Sequence, residues 1–208
     1  NSIKSVHCIC PERAKIGVLA LQGAFVEHIA SLQKLGVEAM AIRLLQELES
    51  LDGLIIPGGE STTIGRLMLP YGFMEALREL SHDGFPIFGT CAGMILLAKS
   101  VLDLDVETIG AMDIEVRRNA FGRQVDSFET FLPVPALGEV PFPAIFIRAP
   151  IIVEIEPGVE ILASLPDGTP VAARQGNLLV SAFHPELTSD LRFHAYFLDI
   201  ISQGAYRQ

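Results

Sequence analysis

Long apolar runs, basic clusters and cysteine pairs are all missing from this 208-residue chain. Its longest stretch without Asp, Glu, Lys or Arg is the fifteen residues from Gly84 to Ala98, and Gly, Pro and Cys interrupt it. A membrane-crossing helix needs about 18 or more apolar residues, so this stretch reads as buried core and no membrane partner is expected. Lys and Arg nowhere gather into a patch, and the formal net charge is −10. Phosphate binding depends on clustered cations, so nucleic acid is not an expected partner either. Three cysteines, with Cys8 and Cys10 nearly adjacent and Cys91 far from both, make no disulfide framework and point to a reducing cytoplasm. Internal repeats and low-complexity linkers are also lacking, and the length suits one domain with a sizeable core.

The first residues, NSIKSVHCICPER, have neither the apolar core nor the small-residue cleavage site of a secretory signal. Residues 1–14 are expected to be an appended tail, disordered or introduced by cloning, with a single domain over 15–208. His7, Cys8 and Cys10 have metal-binding side chains, but no second Cys/His pair at zinc spacing completes a site. No metal is expected.

From Lys15 the pattern turns regular. KIGVLAL is a short apolar run suited to a strand buried on both faces, and a helical stretch follows with Phe25, Ile29, Leu32 and Leu35 on one stripe and Gly36 at its end. VEAMAI and DGLIIPGG read as the next strands, and residues 62–68 and 73–80 as helices. FPIFG is a fourth strand, and AGMILLAKS a helix after it. This alternation predicts an α/β fold in which a central, mostly parallel, mixed sheet is flanked by helices on both faces. After Gly110 come short β-like runs (AMDIEV, SFETFL, AIFI, IIVEI, GVEILA, PVAAR, NLLVSAF), expected to add antiparallel strands to that sheet. A closing helix is expected over residues 189–202, where Phe193, Phe197 and Ile201 recur at spacing four.

In such a sheet, ligands gather beyond the carboxyl ends of the strands, and Cys91 follows FPIFG there. The sequence GTCAG has the form of a strand-to-helix nucleophile elbow, with glycines two before and two after so that the tight turn does not clash. A helix N-terminus and a nearby imidazolium would favour the thiolate. Cysteine is also among the most buried residue types, so the motif alone leaves Cys91 open to either packing or catalysis.

A nucleophile needs a base. Of His7, His28, His82, His184 and His194, only His184 directly follows a strand-like run, NLLVSAF. Pro185 and Glu186 come next, a spacing that lets the carboxylate turn back on the ring, set its tautomer and stabilise the imidazolium. Read alone, FHPE is equally an ordinary turn. Paired with the elbow, it suggests a triad of Cys91, His184 and Glu186. Packing or solvation suits His28 and His194 on predicted helices, and His82 reads as a loop residue.

An oxyanion in acyl transfer needs backbone donors, and the N–H after the nucleophile, that of Ala92, supplies one. The second is expected from PGGES, where Gly59 leaves its N–H unobstructed at the end of a neighbouring strand. The plain alternative is a glycine turn before a helix capped by Ser61.

Six motifs occur in the order LALQGA, PGGEST, GTCAGM, RNAFGRQ, FIRAP and FHPEL. Together they resemble the glutaminase subunit of pyridoxal 5′-phosphate synthase, from Lys15 to the C-terminus. The elbow and His-Pro-Glu are shared by class I glutamine amidotransferases, which implies their three-layer, flavodoxin-like fold. RNAFGRQ and FIRAP point to this member. The resemblance implies that Cys91 attacks the side-chain amide of L-glutamine, that His184, oriented by Glu186, protonates the departing ammonia, and that water then releases glutamate from the thioester. It implies that Gly59, Glu60 and Ser61 line the glutamine site with Arg118, Ile147 and Arg148, whereas Arg117 and Arg123 read as solvated surface charges. Gln22 belongs to a motif near the active site, where its amide helps form the oxyanion loop or touches the partner. That partner is a synthase subunit in a hetero-oligomer, to which ammonia is delivered. No bound cofactor is expected in this chain.

Overall fold

The computed structural model describes residues 13–102, 104–121 and 127–204. Most of the expected tail, including His7, Cys8 and Cys10, lies outside the described residues, as does Arg123.

The central apolar runs become strands because they are covered from both sides, while the edge run Glu38–Ile42 stays partly exposed. Lys15–Leu19 (β1), Glu38–Ile42 (β2), Gly53–Ile56 (β3), Ile87–Thr90 (β4) and Leu178–Ser181 (β12) pair in parallel, and every residue of β3, β4 and β12 is buried. Glu160–Ser164 (β10) and Pro170–Gln175 (β11) add antiparallel strands at one edge. Among the described residues the central sheet thus has the order β10-β11-β12-β4-β3-β1-β2. From β1 the chain steps outward to β2 and then back across to β3. The parallel part therefore has the flavodoxin-like winding, with its switch point beside β1.

Alternation along β4 assigns the helices to the two faces. Phe88 points to one face, against Phe193 and Phe197 of the helix Arg192–Gln203 (α5). The helix Phe25–Lys34 (α1) shares that face through His28, which lies edge-on to Phe88 and beside His194. Gly89 points to the opposite face, against Gly93 and Leu97 of the helix Ala92–Leu97 (α4). The helix Ser61–Met68 (α2) contacts both α4 and the helix Phe73–His82 (α3). His82, expected in a loop, is the last residue of α3. The closing helix starts at Arg192 rather than residue 189, because Asp190 accepts the Arg192 N–H at 3.1 Å and grips its guanidinium in the preceding turn.

Three further expectations fail for physical reasons. NLLVSAF enters the central sheet parallel to β4 rather than antiparallel, because a tight turn after β11 reverses the chain. AGMILLAKS is not one helix: it ends at Leu97, and Ala98–Val101 is a strand (β5). The carbonyls that would continue the helix are taken by distant donors, Leu96 O by the Ile109 N–H at 2.7 Å and Ala98 O by the Thr108 hydroxyl at 2.7 Å. Nor do all the later β-like runs join the central sheet. Met112–Arg117 (β6) and Ile151–Ile155 (β9) form a separate three-stranded sheet with β5, and Ser127–Leu132 (β7) and Phe142–Ile147 (β8) form a hairpin. Asp113, Glu115 and Glu129 alternate with the apolar residues of β6 and β7. A strand with a charged face cannot enter a sheet that is buried on both sides, so these runs cover the core with one face only.

The hairpin's inner face carries Phe128, Phe142 and Phe146, which pack with Phe121, Phe183 and Phe193 at ring-centroid distances of 4.6–6.1 Å. Phe183 precedes His184, so this aromatic cluster anchors the segment beyond β12.

Candidate active site

Cys91 joins β4 to α4 with φ 51° and ψ −104°, a conformation that costs a non-glycine residue about 1–3 kcal/mol. The neighbouring glycines make the turn possible. A Cβ on Gly89 would sit 2.5 Å from the Gly93 carbonyl oxygen, and one on Gly93 would fall on the Ile56 carbonyl. The Cys91 N–H donates to Ser181 O at 2.8 Å, which ties the elbow to β12. Only 6% exposed, Cys91 lies at the floor of a cleft of about 650 Å³.

His184 stands beyond the end of β12, its N–H donating to Ile145 O of β8 at 2.8 Å. Pro185–Leu187 folds into a 3-10 turn that brings Glu186 back on the ring, and His184 Nδ1 lies 2.6 Å from Glu186 Oε1. Nε2 is thereby left for Cys91. Burial disfavours the imidazolium, but the hydrogen bonds of His184 to Cys91 and Glu186, and the charges of these groups, outweigh it and raise the pKa to about 10. Gly58 permits this arrangement, since a side chain there would fall on His184 Cε1.

Pro57–Ser61 leaves β3 beside the elbow. The Gly58 carbonyl accepts the Ala24 N–H at 3.0 Å, so in a trans peptide the Gly59 N–H turns the opposite way, away from residues 23 and 24. Gln22 braces this loop: its Oε1 accepts the Glu60 N–H at 2.9 Å and lies against Gly59. The cap of α2 is Glu60 rather than Ser61. Its carboxylate accepts the Thr62 and Thr63 N–H groups at 3.1 and 2.7 Å and the Thr63 hydroxyl at 2.7 Å. The bonds from Thr63 hold its pKa below the ordinary carboxylate value. Arg118 donates to Ser61 Oγ at 3.3 Å and Thr62 Oγ1 at 3.0 Å, with Glu60 Oε1 3.6 Å away.

The cleft brings together Gly59, Glu60, Ser61, Cys91, Ala92, Arg118 and Arg148. Arg117, read from sequence as a surface charge, is exposed but lines the same cleft. Ile147 contributes backbone: its carbonyl is 3.9 Å from Cys91 Sγ, while its side chain is partly exposed. Arg148 follows with φ 45°, and Asn119 with φ 50° adds a second wall residue at a left-handed turn. Ile95, Leu102 and Leu104 supply an apolar side, and no sequence signal marked the two leucines. Sequence reading also left His28 and His194 as packing or solvated residues. Both are completely buried, and they meet behind Glu186: His28 Nδ1 is 2.9 Å from His194 Nε2, and His28 Nε2 is 3.1 Å from Thr90 Oγ1 and 3.5 Å from Glu186 Oε2. Among the described residues no three His, Cys, Asp or Glu side chains are grouped to hold a metal ion, and no helix is long and apolar enough to cross a membrane.

A protein of Moorella thermoacetica named pyridoxal 5′-phosphate synthase subunit PdxT is 59% identical over 187 residues, covering 90% of this chain and 99% of that protein. The protein of the same name from Carboxydothermus hydrogenoformans is 57% identical over 190 residues, covering 91% and 99%. A solved glutamine amidotransferase superposes with a TM-score of 0.85 at 49% identity, covering 89% of this chain and 98% of its own. Residues 18–203 match the model of the SNO glutamine amidotransferase family, and the chain belongs to that family.

Proposed function

We propose that this chain hydrolyses L-glutamine to L-glutamate and ammonia through a cysteine thioester, and hands the ammonia to a synthase partner that makes pyridoxal 5′-phosphate. The observation that carries this reading is Cys91 on its strained elbow beside His184, whose Nδ1 is 2.6 Å from Glu186. Family membership and the relatives' name support the choice of substrate and partner.

The Cys91 thiol passes its proton to His184 Nε2, and Sγ attacks the side-chain amide carbon of glutamine. Glu186 fixes the Nδ1–H tautomer and stabilises the imidazolium that forms. The N–H groups of Ala92 and Gly59 receive the oxyanion. His184 then gives its proton to the departing nitrogen, the C–N bond breaks, and ammonia leaves a thioester on Cys91. A water deprotonated by His184 attacks that thioester, glutamate departs, and the thiol is restored. Arg118 and Arg148 offer guanidinium groups for the α-carboxylate of glutamine. Ser61 and the Ile147 carbonyl shape the rest of the subsite. Glu60 acts there by holding Arg118 and the start of α2, and Gln22 by bracing the glycine loop. Ammonia released into water would be protonated and lost as a nucleophile, which is why a partner must receive it. A catalytic thiol must stay reduced, which supports reading the cytoplasm as the protein's compartment.

Glutamate production from glutamine, measured with and without the synthase subunit, tests the reading. Weak turnover alone, clear turnover with the partner and none for Cys91→Ala are expected. Full activity in Cys91→Ala would sink the triad. Turnover stimulated only by a different synthase would remove the vitamin assignment and leave the triad standing.

A further inference from the structure

Glu186 has two carboxylate oxygens, and the reaction uses only one of them. Oε1 accepts from His184, whereas Oε2 is buried without a close hydrogen-bond partner and faces His28 Nε2 at 3.5 Å. His28 comes from α1, Thr90 from the end of β4 and His194 from α5, so three separate elements deliver polar groups to the back of the site. All three side chains are fully buried in an otherwise apolar core.

Proton counting fixes the direction of this chain. Burial pushes the pKa of both His28 and His194 below the ordinary histidine value, and for His28 the neighbouring His194 and His184 push further in the same direction. Each ring is therefore neutral and carries one proton. Glu186 Oε2 can only accept, so the nitrogen that faces it, His28 Nε2, is the protonated one; its N–H is shared between Thr90 Oγ1 at 3.1 Å, the nearer acceptor, and Oε2 at 3.5 Å. The Nδ1 of His28 is then bare and must accept from His194 Nε2–H. That leaves His194 Nδ1 as the bare nitrogen, and it is the one atom of the two rings with no partner. The opposite assignment would set a lone pair against a carboxylate where no water reaches. The titratable groups that face His28 are Glu186, His184 and His194.

We propose that His28 is a positioning residue for the hydrolytic site: held as the Nε2–H tautomer by His194, it fixes the second oxygen of Glu186 and so the orientation of the carboxylate that aligns His184. The proposal rests on the assignment of Cys91, His184 and Glu186 as the reacting set. Its effect on the reaction passes wholly through Glu186.

The test compares His28→Gln and His28→Asn in the complex with the synthase subunit. Gln can place an amide N–H near the position of Nε2, and Asn is too short to do so. For His28→Asn, kcat for glutamine hydrolysis is expected to fall about tenfold or more with KM little changed, while His28→Gln keeps most of the activity. Loss of His28 disturbs the carboxylate that aligns His184, so the acid limb of the His28→Asn pH profile should move by about half a unit or more, whereas a packing role leaves it in place. Wild-type kcat and acid limb in a folded His28→Asn overturn the proposal. Equal losses in both variants with lowered Tm and an unmoved acid limb also overturn it, since they mark a packing role. Should His28→Asn fail to fold, nitrogen NMR of the wild-type His28 ring decides: a protonated Nε2 and a bare Nδ1 are expected, and the reverse tautomer overturns the proposal. Glu186→Gln separates the two levels. If it is fully active, the triad falls and the proposal with it, whereas if it is inactive and His28→Asn is normal, the proposal alone falls.

Discussion

Cys91 holds a backbone conformation that side chains avoid, and the surroundings that enforce it are glycines and carbonyls rather than large side chains. The strain is a small fraction of what the buried core contributes, where each fully buried Leu, Ile or Phe is worth about 1.5–3 kcal/mol. Gly58 illustrates the same economy beside His184, where the space a methyl group needs is filled by the imidazole. Gly58→Ala is therefore expected to displace the ring. A displacement of about 1 Å costs on the order of 100-fold in kcat, a loss out of proportion to any change in thermal unfolding. Steady-state kinetics beside a melting curve checks this, and unchanged kcat would show that the ring can yield without loss.

The start of α2 couples an element's stability to the geometry of the cleft. Glu60 caps that helix and also sits 3.6 Å from Arg118, so one carboxylate organises both. Removing it in Glu60→Ala should cost about 1 kcal/mol in urea unfolding at pH 7. It should also raise KM for glutamine more than it lowers kcat, because Arg118 loses a fixed neighbour. The folded pKa of Glu60 lies below the ordinary 4.5, so its contribution is present above that value and is lost as pH falls through the folded value. The wild type and Glu60→Ala should thus converge in stability under acid. The hairpin β7/β8 plays a comparable part for His184, since its phenylalanines and the Ile145 carbonyl hold the segment that carries this residue.

Across the whole molecule, three buried histidines set opposite pH dependences. His194 has a folded pKa of about 4 against 6.5 unfolded, so the unfolded chain binds more protons between these values. Stability is therefore lost as pH falls from 6.5 towards 4, by on the order of 3 kcal/mol from His194, and His28 adds to it in the same direction. His184, raised to about 10, contributes stability that is fully present below pH 6.5 and is lost as pH rises through about 10. Denaturant unfolding across pH 4–10 should show both flanks, and His194→Phe should flatten the acid one. An unaltered acid flank in that variant would mean that His194 is not held neutral in the folded protein.

What was legible in the sequence was local. Apolar runs alternating with helical stripes specified parallel strands and crossover helices, because backbone pairing and burial on both faces leave few other choices. The tight turn at Cys91, with glycines two before and two after, and the return of Glu186 onto the His184 ring were legible because local turn geometry sets those distances. Tertiary structure decided the rest. The break at Leu97 depends on donors from residues 108 and 109, and the assignment of β6 and β7 to covering sheets depends on which side of the core was already closed. Most of all, His28 and His194 stand 166 positions apart on stripes that read as ordinary packing. Only the winding of the sheet brings both behind Glu186, and only burial away from water gives the direction of their protons any consequence for the site.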